Sequence, residues 1–455
     1  MQAPTVPRRV SLPTTLSFVH DPIGGLTRFG KEYGSSFYIY VGGVEKSLIT
    51  TDPKVAQHVL QRNHRAYEKS PLQTEQVSRY IGKGLLTNTG ASWLRQRRLI
   101  QPGFHRQRLE ALTQIMQSVI DQEGDLLANR LQQNGAQVNI YDEMLNIAFR
   151  VVARAIFSED IMEDELEDFG DKITRIQEHV IKEVRLPFLR WFFKISGIQK
   201  QYLQLSQDIL NTQRQFINRR RDANVSRDDL LQMLLDSRYE DTGQPMEEQQ
   251  LIEETGILFV AGHETSANAL SWTFYLLAQH PEALEQVKAE LERICPGRAP
   301  SFTDLRQLTY LTQVINESMR LYPPAWITDR VALEDDKVGE LEIPKGTIVV
   351  PFIYGIHHED NLWDEPEKFR PERFSAEQRK HHLPFSFIPF GGGPRLCIGN
   401  SFAMMEMQLL LASWVRRFSF QLVPNQRISA KPLITLRPEP GVQMYVHENE
   451  EFTFS

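Results

Sequence analysis

The feature that most constrains this fold is an apolar run broken at its centre by polar residues. Ile257-Leu258-Phe259-Val260-Ala261 leads into Gly262-His263-Glu264-Thr265-Ser266, and Leu270, Trp272, Phe274, Tyr275, Leu276 and Leu277 follow. The stretch 255–279 is long enough to cross a bilayer, but a glutamate at bilayer depth is costly and rarely unpartnered. A helix apolar on all sides and outside a membrane must cross the core of a large domain. The expectation is therefore a core helix that carries a glycine, a carboxylate and two hydroxyls into a dry interior. Gly262 would let another group approach the backbone closely, and Glu264 with Thr265 could relay protons. A polar pocket satisfied by its own hydrogen bonds explains the same residues. A zinc-protease motif is excluded, because Ala267 stands where the second histidine would be needed.

The chain is large enough for such a core, with 455 residues of which 41% are hydrophobic. Its 58 acidic and 51 basic residues leave a net charge of −7, which excludes a strongly basic nucleic-acid binder. Two cysteines, Cys295 and Cys397, permit at most one disulfide, so a disulfide-stapled secreted scaffold is excluded. An intracellular globular protein is expected. Residues 1–20 have no signal or anchor pattern and read as an extended, proline-rich lead-in through Pro4, Pro7 and Pro13.

Phe37-Tyr38-Ile39-Tyr40 and Ser47-Leu48-Ile49-Thr50 flank Gly42-Gly43 and predict a β-hairpin. Asp52-Pro53 then opens a helix, as N-cap and first helical residue. After a looser stretch at 70–90, helical periodicity covers 91–100, 106–133, 140–157, 163–185, 201–222, 226–237, 246–279, 281–295 and 309–321. Beyond Pro323-Pro324 the pattern changes to short strands at 341–343 and 347–350, a last helix at 398–417 and strands in the tail. No internal repeat or Gly/Ser linker divides the chain. The expected fold is mainly α with a smaller β-rich portion, in one domain over 1–455. The acidic run at 159–171 reads as a solvated helix face, and Arg219-Arg220-Arg221 as a cationic helix end.

Phe390-Gly391-Gly392-Gly393-Pro394-Arg395-Leu396-Cys397-Ile398-Gly399 precedes the last helix. Glycines let the backbone wrap the thiol, and the helix N-terminus offers free N–H groups that favour a thiolate. One thiolate without nearby His or Cys is poor zinc chemistry, but it suits the axial position of a haem iron. A Gly-rich turn with a buried thiol, or a cysteine nucleophile, is compatible with the same ten residues. Cys295, at a helix end before Pro296-Gly297, reads as structural.

Taken together, five motifs resemble those of the cytochrome P450 monooxygenases, in order from about residue 35 to 445. The cysteine loop resembles the haem-binding signature, and Ala261-Gly262-His263-Glu264-Thr265-Ser266 the oxygen-activating motif of the long central helix. Glu317-Ser318-Met319-Arg320 resembles the Glu-x-x-Arg helix, and Phe369-Arg370-Pro371-Glu372-Arg373-Phe374 the loop after it. Trp93 and Arg97 resemble a Trp-x-x-x-Arg pair. The resemblance implies a soluble, bacterial-type member with haem b, Cys397 as the iron ligand, and Trp93, Arg97, Arg330 and Arg395 on the propionates. Phe390 would pack by the sulfur and Gly399 would complete the haem-binding loop. Glu317, Arg320 and Arg373 would form a buried, structural ion network. Thr265 and Glu264 would serve oxygen activation, the first by hydrogen-bonding dioxygen and the second by delivering protons.

The implied reaction is insertion of one oxygen atom of O2 into a C–H bond of a small apolar substrate, fatty-acid-like or terpenoid-like. Specificity is expected from the 70–90 loop, residues 180–200, the turn at 325–328 and the turn near 440–443. Leu186, Phe188, Leu189, Trp191, Phe192 and Phe193 around Pro187 read as an apolar lid, with a core helix end or a membrane contact as alternatives. No redox segment follows within the sequence, so a separate donor is expected, a ferredoxin or flavodoxin with its reductase. Arg95, Arg98, Arg106, Arg108, Arg416 and Arg417 are candidates for its docking face. A peroxide-driven peroxygenase of the same fold and a non-catalytic haem-binding protein are the competing functions. No nucleic-acid partner, no transmembrane segment, a monomer and a cytoplasmic location complete the expectations.

Overall fold

The computed structural model describes residues 2–7, 21–41, 45–158, 161–186, 189–223 and 225–449. The Gly42-Gly43 turn, most of the proline-rich lead-in, Glu159-Asp160 and Pro187-Phe188 lie outside the described residues. Ten described helices have eleven residues or more. They are α1 (Pro22–Tyr33), α2 (Gly90–Ile100), α3 (Arg106–Asn134), α4 (Ile140–Phe157), α5 (Glu163–Arg185), α6 (Ile198–Ala223), α7 (Glu248–Gln279), α8 (Pro281–Ile294), α9 (Thr309–Leu321) and α10 (Asn400–Arg417).

Strands are short. β1 (Ser36–Val41), β2 (Glu45–Thr50), β3 (Tyr67–Glu68), β5 (Arg330–Ala332) and β8 (Ile348–Pro351) form one sheet in the order β1-β2-β8-β5-β3. β1 and β2 pair antiparallel, Phe37 opposite Ile49, as the alternating pattern predicts. β4 (Gln137–Asn139), β12 (Gln443–Glu448) and β9 (Phe418–Leu422) form a second sheet. β6 (Asp336–Val338) pairs with β7 (Leu341–Ile343), and β10 (Ser429–Pro432) with β11 (Leu436–Glu439).

α7 is the core helix expected from the apolar run: Ile257, Phe259, Leu270, Trp272, Phe274 and Leu277 are buried on several sides of it. It packs along α4, where the Phe149 and Phe259 rings meet edge-on at 4.8 Å. The group that approaches Gly262 is Val152 of α4, since a Cβ at 262 would lie 2.9 Å from a Val152 methyl. Asp52 caps its short helix as predicted, accepting from Lys54 N at 2.8 Å.

Three expectations need correction. The helix expected at 226–237 spans only Leu230–Asp236, because Asp229 is its N-cap and accepts from Gln232 N at 2.8 Å. Arg220 is not simply a cation favouring a helix end. It is fully buried and paired with Asp229 at 2.5 Å, while Arg219 pairs with Glu165. The looser stretch at 70–90 contains a widened helical turn over Leu72–Val77 that tightens into Ser78–Ile81. α1 was not expected because Gly24-Gly25 sit inside it, although Asp21-Pro22 repeats the Asp-Pro start read at Asp52-Pro53; Asp21 caps it and Leu26 and Phe29 anchor it.

The ion network sits beside α9. Arg320 donates twice to Glu317 at 2.8 Å, and Arg373 Nε donates to the same carboxylate at 3.2 Å. Glu317 and Arg320 are wholly buried, and Arg320 also reaches His357 O at 2.9 Å. Every group in it has a partner, as a buried charge requires.

Candidate active site

The cysteine loop is shaped by its glycines. Gly391 and Gly393 hold φ of 74° and 68°, and a Cβ at 393 would sit 1.9 Å from Leu60 O. Only glycine fits that approach. The wrapped backbone closes through Cys397 N to Phe390 O at 3.0 Å, and α10 begins at Asn400. The Gly399 N–H reaches the sulfur and Arg97 lies within electrostatic range, both favouring a thiolate. Burial nevertheless wins and pushes the Cys397 thiol up, so the loop alone does not give the lowered pKa expected from a helix N-terminus. Cys397 is also accessible, so its sulfur borders a cleft inside the protein. A metal ion bound there would deprotonate the thiol outright. Among the described residues no group of three or more His, Cys, Asp or Glu could hold a metal. Cys397 would be a lone protein ligand.

Cations converge beside this loop. Arg97 Nη1 donates to Leu396 O at 2.9 Å, and the Arg395 guanidinium lies 5.2 Å from the Trp93 ring centre. Trp93 and Arg97, one turn apart on α2, therefore face the same loop, as their spacing predicts. Arg330, at the start of β5, is 8% exposed and lies close enough to Arg395 for the two charges to repel. Burial lowers its pKa to about 10, with Arg395 adding to the effect.

A fifth member was missed from sequence. Lys69 is buried, and burial together with Arg330 and Arg395 lowers its pKa to about 6. Its Nζ donates to Leu85 O at 2.6 Å and Asn88 O at 3.0 Å, which fixes it in place. Nothing in Tyr67-Glu68-Lys69-Ser70 signals this role, because β3 and the returning β5 bring Lys69 to Arg330 across 261 residues.

These residues fit a haem. Burial lowers the pKa of Arg97, Arg330, Arg395 and Lys69 alike, and Arg395 Nη1 is buried without a hydrogen-bond partner. An orphaned guanidinium N–H inside a cationic cluster calls for an anionic acceptor. Two carboxylates beside a thiol-facing cleft match that demand.

On α7 the acid and the alcohol are adjacent but face different ways. Ala261 is exposed in mid-helix, between buried Phe259 and His263, so α7 presents that face to a cleft. The Thr265 hydroxyl donates to Ala261 O at 2.8 Å. Glu264 points elsewhere: Oε1 accepts from Thr435 at 2.7 Å and Oε2 from Gln177 at 3.0 Å. Neither partner was found from sequence, since one lies in the β10–β11 turn and the other on α5.

The chain belongs to the cytochrome P450 family, whose protein-family model matches residues 4–445. It is 32% identical over 425 residues to cytokinin hydroxylase of Arabidopsis thaliana, covering 91% of this chain and 81% of that protein. It is 30% identical over 393 residues to cyclooctatin synthase of Streptomyces melanosporofaciens, covering 85% and 83%. The crystal structure of a cytochrome P450DA mutant heme domain superposes with a TM-score of 0.89, covering 99% of this chain and 98% of that one, at 22% identity. The protein is thus a haem-thiolate P450 monooxygenase, mainly helical with small sheets, as the motifs implied.

Proposed function

We propose that Cys397 is the axial iron ligand. Arg97, Arg330, Arg395 and Trp93, joined by Lys69, would hold the haem carboxylates, with Phe390 and Gly399 shaping the thiolate side. The observation that carries this assignment is the buried, partnerless Arg395 Nη1 among cations that adjoin the cysteine loop. The bound haem supplies oxygen activation for C–H hydroxylation. Glu264 would hold the proton that passes to Thr265, whose hydroxyl would orient dioxygen in the cleft.

The substrate we propose is apolar, terpenoid-like or fatty-acid-like. Exposed Ala261 and Ile434 offer apolar contacts near the two elements that hold Glu264. Trp191 and Phe192 are 64% and 46% exposed, whereas Phe193 is buried. This favours the lid over the core helix end for the first two. The names of relatives, a cyclooctatin synthase and a carotene ε-monooxygenase, are consistent with terpenoid chemistry.

Electrons would come from a separate ferredoxin or flavodoxin with its reductase. Three of the six arginines expected for docking are paired with carboxylates within the chain. Arg95 pairs with Asp241, Arg108 with Asp228, and Arg417 with Asp125 and Glu448; Arg416 donates to Arg298 O, and Arg106 lies over Phe302. Of the six, Arg98 and Arg106 are exposed and carry no ion pair among the described residues. No described helix is long and apolar enough to cross a membrane. We propose that the chain works as one monomeric domain in the cytoplasm.

The test is a visible spectrum during titration with a medium-chain fatty acid and, separately, a diterpene. A haem-thiolate band that moves from low to high spin with either ligand supports an apolar substrate. A haem-thiolate band unmoved by both rejects that substrate class, and absence of a haem-thiolate band rejects the assignment of Cys397.

A further inference from the structure

The Glu264 carboxylate is clasped from two sides by neutral donors on separate elements. Thr435, 6% exposed in the turn between β10 and β11, donates to Oε1 at 2.7 Å. The same hydroxyl accepts from Asn268 Nδ2 at 2.9 Å, and Asn268 lies one turn further along α7. Gln177 of α5 donates to Oε2 at 3.0 Å. Both oxygens are thus engaged away from Thr265, whose hydroxyl is bonded within α7.

The turn that carries Thr435 is itself fixed. Trp326 Nε1 donates to Leu433 O at 2.9 Å, and Trp272 Nε1 to Leu436 O at 3.1 Å. Between these anchors Ile434 is 46% exposed, next in chain to Thr435. An apolar ligand that meets Ile434, or that shifts α5, therefore acts on residues bonded to the carboxylate. Tyr141 and His263 also neighbour Glu264 electrostatically, but neither is a donor in the clasp.

We propose that Thr435 and Gln177 are positioning residues that park Glu264 away from Thr265, so that substrate contact at the β10–β11 turn and α5 governs its release toward the proton path. The proposal rests on the reading of Glu264 and Thr265 as that path. A parked acid limits unproductive proton delivery when substrate is absent. Reduction of O2 to hydrogen peroxide takes two electrons from the donor and two protons, so faster proton supply appears as peroxide.

The experiment measures substrate-free peroxide release by the haem-loaded protein, with a surrogate ferredoxin and ferredoxin reductase as donor. Thr435→Val and Gln177→Leu are each expected to raise release about five- to tenfold, the population shift that follows loss of one hydrogen bond to a carboxylate. Thr435→Ser, which keeps the hydroxyl, restores the parent rate. Adding Glu264→Gln to Thr435→Val removes the increase. Crystal structures give a second readout without turnover: the carboxylate turns out of the clasp in Thr435→Val and stays in Thr435→Ser. Unchanged release in Thr435→Val and Gln177→Leu, with Glu264→Gln alone lowering release, overturns the clasp and keeps the proton path. No effect of Glu264→Gln on release overturns the proton path itself and the clasp with it. An increase that persists in the Thr435→Val/Glu264→Gln double variant assigns the effect to general loosening and also overturns the clasp.

Discussion

Glu406 shows most clearly how a single buried group can set the pH response of this chain. It lies on α10, is wholly buried, and both its oxygens lack a hydrogen-bond partner, with the Ser266 hydroxyl its polar neighbour. Burial raises its pKa to about 8 from an ordinary carboxylate value. A raised folded-state pKa means that the folded protein holds this proton more tightly than the unfolded chain does. The contribution is full below the unfolded carboxylate pKa and is lost as pH rises through about 8. Glu406→Gln should therefore leave stability unchanged near pH 4 and raise it by about 4 kcal/mol near pH 8. Denaturant titrations of both proteins at the two pH values check this, and equal gains at both would reject it. Lys69 behaves differently. Lys69→Met should lower haem affinity while stabilising the haem-free protein near pH 7. Its folded-state pKa of about 6 means that the unfolded chain binds more protons above that pH, so the penalty grows as pH falls from the ordinary lysine range. Haem-transfer rates and thermal midpoints of the two forms measure the two effects. Cys397, Trp93, Arg97 and Arg395 were legible because each belongs to a short motif with fixed spacing. Lys69, Thr435 and Gln177 were not, because their partners lie far away in sequence and no local pattern encodes the contact.

At the scale of the element, long helices were read well and short ones poorly. α4, α5 and α9 start and stop as their periodicity predicts: α5 carries one buried stripe, while the last turns of α4 and α9 are buried on most sides. The helix at Leu230–Asp236 was overextended because its true start depends on Asp229, whose carboxylate serves two elements at once. It caps that helix, holds the buried Arg220 of α6, and accepts from Ser158 at 2.5 Å just past α4. Removing it would leave the buried Arg220 guanidinium without its carboxylate, with Phe157 O still accepting from it, and would uncap a helix. Asp229→Ala is expected to cost about 3–5 kcal/mol, read as a shift in urea midpoint with an unchanged slope. A loss under about 1 kcal/mol would mean that the pair adds no more than a cap alone. The Glu317–Arg320–Arg373 network was legible from its motifs, but its additional acceptors, His357 O and Glu365 O, became visible only with the fold.

Across the whole molecule, exposed apolar and charged side chains predict how the surface is used. Trp191, Phe192 and Ile195 are exposed together on a short helix, Arg190–Ile195, that also carries Lys194. Phe192→Ser should shift the thermal midpoint by less than about 2 °C, since an exposed side chain adds little to stability. It should weaken fatty-acid or diterpene binding severalfold in the spectral titration. Unchanged binding would remove this segment from the ligand path. The arginines paired within the chain make a second prediction: reduction by a ferredoxin should depend only weakly on salt, and Arg98→Glu should slow it more than Arg95→Glu does. The reverse order would place docking on the α2 face that Asp241 now covers.

The site's cations and its thiol are drawn from positions 69, 97, 330, 395 and 397; the sheet β1-β2-β8-β5-β3, whose strands come from both halves of the chain, brings Lys69 beside Arg330, while Arg97 comes from α2 and Arg395 and Cys397 from the loop before α10. During synthesis from the N-terminus, Lys69 and Arg97 leave the ribosome long before Arg330, and the thiol emerges after almost everything else. With Cys397 as the proposed iron ligand, a partial chain ending before residue 397 would lack that ligand. On that assignment haem capture would come late in the folding of this protein, after the cysteine loop has left the ribosome.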